Sequence, residues 1–184
     1  RAGTIRFLQS DVEINLNSIG KGYALDRVSA GMEELGVTDF LWHGGSSSVL
    51  ARGCNRSTPQ HGWTIGLRDP LAPERRIAEL FLRDRALATA GGGTQFFEQE
   101  GKKYSHIIDP RSGLPARNRY TATVLAPTAA EADALATALF VMDLDEVGEY
   151  CASHPELAAV LVFPAADETK IAVRARGLEQ EDWR

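Results

Sequence analysis

Thr121-Ala122-Thr123-Val124-Leu125-Ala126-Pro127-Thr128-Ala129-Ala130-Glu131-Ala132-Asp133-Ala134-Leu135-Ala136-Thr137 switches from one structural period to another within a few residues. Thr121 to Leu125 reads as a strand. Thr128-Ala129-Ala130-Glu131 has the form of a capping box, with Thr128 as cap and Glu131 reaching back. A helix follows to about Met142, with Leu135, Leu139 and Met142 facing the core.

Outward from this junction, strands dominate. Residues 5–15 alternate weakly and end in Val12-Glu13-Ile14-Asn15-Leu16, a strand pattern. Leu25, Val28, Met32 and Leu35 then repeat at three and four, which predicts a helix with one apolar stripe. Asn17 or Ser18 suits its start and Gly36 its stop. Val37 to Leu50 reads as strand, glycine turn, strand. Trp63 to Leu67, Ile77 to Leu82 and Arg85 to Thr89 are further strands, separated by polar and Pro-containing loops, and Gly91-Gly92-Gly93 interrupts the last. Tyr104 to Ile108 is a strand running into the turn Asp109-Pro110-Arg111-Ser112-Gly113. Leu144 to Ser153 forms a short helix ended by Pro155, Ala158 to Phe163 and Lys170 to Val173 form a closing hairpin, and Glu179 to Asp182 is a frayed tail. Many strands with a few segregated helices make an α+β chain.

At 184 residues the chain reads as one domain, residues 1–184, long enough for a substantial core. Apolar and charged contents of 43% and 24% are those of a globular protein. A net charge of −5, with scattered basic residues, argues against a nucleic-acid surface. Cys54 and Cys151 lack metal-ligand spacing and read as two free thiols. No apolar run approaches the eighteen or so residues that span a bilayer, and no signal peptide is visible. The opening at Arg1 reads as the interior of a longer gene product.

Four groups of residues could carry chemistry. Asp133 and Thr137 lie four apart, which stacks a carboxylate and a hydroxyl on one helix face. Two hard oxygens there suit Mg²⁺; the same spacing also suits a solvated face, or Thr137 bonding its own i−4 carbonyl. His106, Asp109 and Arg111 sit where a strand meets a turn, a place that holds side chains in fixed directions. Gly20-Lys21-Gly22 stands at a helix start, where free N–H groups favour an anion and where a lysine is unfavourable unless an anion offsets it. Gly44-Gly45 and Gly91-Gly92-Gly93 let backbone approach a ligand, or simply make turns.

Asn15-Leu16-Asn17-Ser18-Ile19-Gly20-Lys21-Gly22-Tyr23-Ala24-Leu25-Asp26, His43-Gly44-Gly45-Ser46, Tyr104 to Gly113 and Glu131 to Thr137 together resemble, in order and spacing, the flavin transferases of the ApbE family. The likeness runs from about residue 12 to 145 and corresponds to the later part of a usual member. It implies a T-fold-like antiparallel sheet with a few helices. It implies an FAD:protein FMN transferase, Mg²⁺-dependent, that moves FMN from FAD to a threonine hydroxyl of an acceptor protein and releases AMP. By the same resemblance Gly20 (through its carbonyl), Asp133 and Thr137 hold Mg²⁺. Lys21, Gly22, Gly44, Gly45, Thr89, Gly91, His106, Asp109 and Arg111 line the FAD site, and His106 assists proton transfer. A bacterial origin and a periplasmic or membrane-associated setting also rest on the resemblance alone. Departures fall inside the motifs: Asn15 stands where the family has Asp, Asn17-Ser18 where it has Gly-Gly, Gly20 where it has Ala, Ser46 for Asp and Ala90 for Ser. They keep two other readings open, hydrolysis of FAD to FMN and AMP, and a divergent flavin-binding or structural relative without catalysis.

Overall fold

The computed structural model describes residues 3–58, 62–91, 96–99, 102–116, 119–167 and 169–184. The elements in chain order are α1 (Gly20–Glu34), β1 (Phe40–His43), β2 (Ser48–Arg52), β3 (Trp63–Arg68), β4 (Arg76–Leu82), β5 (Ala86–Gly91), β6 (Phe96–Gln99), β7 (Lys102–Ser105), β8 (Ile108–Asp109), β9 (Leu114–Pro115), β10 (Thr121–Ala126), α2 (Ala129–Val141), α3 (Leu144–Ser153), β11 (Ala158–Pro164) and β12 (Ile171–Arg176). Among the described residues a six-stranded sheet has the order β1-β2-β5-β10-β11-β12, with every neighbouring pair antiparallel. This is the α+β, antiparallel architecture expected.

Alternation along the strands divides the core into two layers. Leu50, Ala86, Ala88, Ala122, Val124, Ala159 and Leu161 face the helices. Ala51, Leu87, Leu125, Ala158 and Val160 face the other way, onto the β3–β4 hairpin with Leu67, Leu80 and Leu82. The helix layer is built from small residues. Ala129, Ala132 and Ala136 of α2 pack among the alanines of β5 and β10, which lets the helix lie close to the sheet.

Four expectations fail. Residues 5–16 form no strand; Ile5 and Leu8 are 74% and 89% exposed. Alternation makes a strand only where the segment pairs with a neighbour, and residues 5–16 pair with none of the described strands. The stripe on α1 is only half used, since Leu25 is buried while Val28 and Leu35 are exposed. Its N-cap is Ile19, with no capping side chain, instead of Asn17 or Ser18. The C-terminal tail is not frayed: Arg184 pairs with Glu79, and Trp183 bridges to Leu80. Gly36 ends α1 with φ +78°, as read from sequence, and both cysteines are free thiols. Gly92 and Gly93 lie outside the described residues.

Candidate functional site

The first turn of α1 and the second turn of α2 meet at one carboxylate. Asp133 is 6% exposed, and both of its oxygens are engaged. Oδ2 accepts the Gly22 N–H at 3.0 Å. Oδ1 accepts the Ser48 hydroxyl at 2.8 Å, and the Lys21 ammonium stands 3.6 Å away. The anion that sequence reasoning required at the start of α1 is therefore Asp133 itself, set against the positive end of the helix dipole.

α1 returns the favour. Asp26, one turn after Gly22, accepts the Ala129 and Ala130 N–H groups at 2.8 and 2.9 Å. Each helix thus supplies a carboxylate to the other's N-terminus. Thr128 caps α2 as predicted, accepting from Glu131 N–H at 3.2 Å. The reciprocal Glu131 bond of a capping box is not among the described contacts, and the next two N–H groups of the helix, those of Ala129 and Ala130, go to Asp26. Gly22 makes the approach achievable, because a Cβ there would overlap the Ala129 carbonyl.

Two guanidinium groups hold the other end of α2. Arg119 donates to the Leu139 and Met142 carbonyls, and burial lowers its pKa. Arg111 donates to the Val141 carbonyl at 2.9 Å, to both oxygens of Asp109 and to both of Glu146. Cations at carbonyl ends complement the dipole. The Arg111 hydrogen bonds hold the Asp109 carboxyl below its usual range. The Asp143 N–H, with a smaller contribution from Arg111, does the same for Glu146. Asp109 and Arg111, expected beside a flavin, fix the 109–113 turn against the α2–α3 corner. Gly113, at φ +71°, completes that turn.

The other candidates fall into place unevenly. Gly44 packs near Lys21 and Leu25, since a Cβ on it would lie 3.6 Å from Lys21 Cβ. Its N–H donates to the Ser48 carbonyl at 2.8 Å, so the Gly44-Gly45 turn is closed by the residue that holds Asp133. Gly45 takes φ +76°. Gly20 opens α1, and Thr137 is half-buried one turn beyond Asp133. Thr89 bonds the Thr123 hydroxyl at 2.9 Å. Alternation puts that pair on the hairpin face, across the sheet from Asp133, and Gly91 ends the same strand. His106 is exposed in the break between β7 and β8, beside Ile107, which is buried in the helix-side core. Sequence reasoning missed Ser48 and Asp26. Asp26 carried a signal, four residues after Gly22; Ser48, third in a run of serines, carried none.

Among the described residues no cluster of three or more His, Cys, Asp or Glu could hold a metal. The donors that the resemblance names are the nearly buried Asp133 carboxylate, the Thr137 hydroxyl one turn on and the carbonyl of Gly20 at the start of α1. Such a sparse oxygen set fits Mg²⁺, which keeps water and phosphate oxygens in its shell, and it does not fit a metal that needs a full protein cage.

The family model described as the ApbE family matches residues 1–161. The FAD:protein FMN transferase of Escherichia coli (strain K12) is 33% identical over 171 residues, 90% of this chain and 47% of that protein. That of Treponema pallidum (strain Nichols) is 30% identical over 175 residues, 88% of this chain and 46% of the relative. A crystal structure of the ApbE protein from Thermotoga maritima superposes with a TM-score of 0.77 at 31% identity, covering 91% of this chain and 52% of the other. The chain spans about half the length of the curated relatives it matches.

Proposed function

The chain belongs to the ApbE family, and from that premise we propose that it forms the metal- and flavin-binding part of an Mg²⁺-dependent FAD:protein FMN transferase. The observation that carries the proposal is the convergence of α1 and α2 on Asp133, with Lys21, Gly22 and the Gly44-Gly45 turn around it.

In this reading Asp133, Thr137 and the Gly20 carbonyl hold the divalent ion. When bound, that ion neutralises charge on the FAD diphosphate and on the departing phosphate. Lys21, half exposed at the rim, supplies a second positive charge for the same diphosphate. Gly44 and Gly45 let backbone approach the nucleotide without side-chain obstruction. A threonine hydroxyl of an acceptor protein attacks the FMN phosphorus. The new Oγ–P bond forms, the bond to the bridging oxygen breaks, and AMP leaves with that oxygen. His106 takes the hydroxyl proton, a task for which imidazole is the usual side chain. Catalysis here is chiefly positioning and electrostatics, as in other phosphoryl transfers.

Incubation of the intact protein with FAD, Mg²⁺ and a threonine-containing acceptor tests the proposal. The expected result is a flavin-fluorescent acceptor band with stoichiometric AMP, abolished by Asp133→Ala. AMP released without a labelled acceptor would reassign the reaction to hydrolysis, and no turnover of FAD at all would remove the catalytic reading.

A further inference from the structure

The Ser48 hydroxyl is buried completely and points at the one carboxylate that the proposed metal site depends on. Resting on that reading of the site, we infer that Ser48 is a positioning residue: it fixes Asp133 Oδ1 in the orientation from which the carboxylate binds a divalent cation.

The partners of Asp133 differ in rigidity. Gly22 N–H is backbone and belongs to a helix pinned by Asp26, so Oδ2 is set by the docking of α1 on α2. Lys21 reaches Oδ1 from a side chain that is 44% exposed, at 3.6 Å, and its flexible stem leaves it free to move to another anion. Ser48 is the rigid partner of Oδ1. It opens β2, opposite Ala88 in the centre of the sheet, and its own carbonyl closes the glycine turn through Gly44 N–H. A hydroxyl donating to a carboxylate at 2.8 Å is a charge-assisted bond. It uses one lone-pair direction of Oδ1 and leaves the second for a cation. Groups that orient a metal-binding side chain from behind typically matter by about 10- to 100-fold in metal affinity. Ser48 also links the two parts of the site, because one residue sets both the carboxylate and the shape of the Gly44-Gly45 turn.

The test is a Mn²⁺ titration of the intact protein, with free Mn²⁺ read by electron paramagnetic resonance, alongside the melting temperature without metal. The unaltered protein is compared with Ser48→Ala, Ser48→Thr and Asp133→Asn. Loss of the hydroxyl in Ser48→Ala should raise the Mn²⁺ dissociation constant about tenfold or more. Ser48→Thr, which keeps the hydroxyl, should restore most of the affinity, and Asp133→Asn should lose the site. A purely structural serine gives a different pattern: a lower metal-free melting temperature in Ser48→Ala with unchanged Mn²⁺ affinity. That pattern, with Asp133→Asn still defective, overturns the role of Ser48 and leaves the metal site standing. Unaltered Mn²⁺ binding by Asp133→Asn, or none by the unaltered protein, overturns both.

Discussion

Lys21 is the resident counter-charge of a nearly buried carboxylate, 3.6 Å from Asp133 Oδ1. A divalent cation arriving at that oxygen meets an ammonium already there, and the two repel. Lys21→Met should therefore tighten Mn²⁺ binding while weakening FAD binding. Because the lysine is half exposed, the gain is that of a screened pair, about two- to fivefold. Calorimetric titrations of the two ligands check it, and parallel losses for both would show that Lys21 helps to build the metal site. Asp133 was legible in the sequence because a helical period places it and Thr137 on one face. The carboxylate beside Lys21 was not legible: a cation at a helix start shows the need for an anion, and the fold brings one from a helix more than a hundred positions away. Ser48 was illegible for a related reason: Ser46, Ser47 and Ser48 are alike in sequence, and only β5 alongside decides which of them is buried.

α2 is held by charge at both ends, and this is what makes it a platform for a site. Asp26 and Thr128 take its first N–H groups, and Arg111 and Arg119 take its last carbonyls. Gly22→Ala forces the two helices apart at their contact and should cost about 3 kcal/mol in chemical denaturation. It should also weaken Mn²⁺ binding, because the N–H that fixes Oδ2 moves with α1; full stability in that variant would mean the approach is looser than the structure has it. The Arg111 knot adds a pH dependence. Asp109 and Glu146 have folded pKa values below their unfolded ones. Their stabilising contribution is thus fully present above the unfolded carboxylate range, about 3.9 to 4.3, and lost as pH falls through the folded values. Melting temperatures of the unaltered protein and Arg111→Met should differ at pH 7 and converge near pH 2; a difference that persists in acid would assign the effect to packing. At this scale the sequence was read well wherever burial backs the pattern, as in α2, β10 and the β11–β12 hairpin. It failed at residues 5–16, whose alternation is paired with no described strand.

Across the whole molecule, rigidity and chemistry are unevenly shared. The centre of the sheet is β5, β10 and β11, whose inward residues are buried on both faces. Asp133 and Ser48 stand on this core. Lys21, Gly44 and His106 stand at its margin, on the exposed start of α1, a glycine turn and the break between two short strands. Half of the proposed site is therefore preset and half is left to be ordered by its ligands, and local stability should follow that division. The layered α+β plan was legible because alternation and helical period are local signals. That Gly22, Lys21 and Ser48 meet at Asp133 was not, since that depends on sheet order, which no local pattern encodes. Hydrogen exchange read by mass spectrometry should find peptides from 121–126 and 158–163 slowest, exchanging only on global unfolding, and those from 5–16 fast. Mg²⁺ with FAD should slow exchange over 18–25 and 43–48 and leave the central strands unchanged, because those are already closed. Equal protection everywhere on adding the ligands would mean a general gain in stability, and the division between a fixed carboxylate and a margin that closes over the nucleotide would then be wrong.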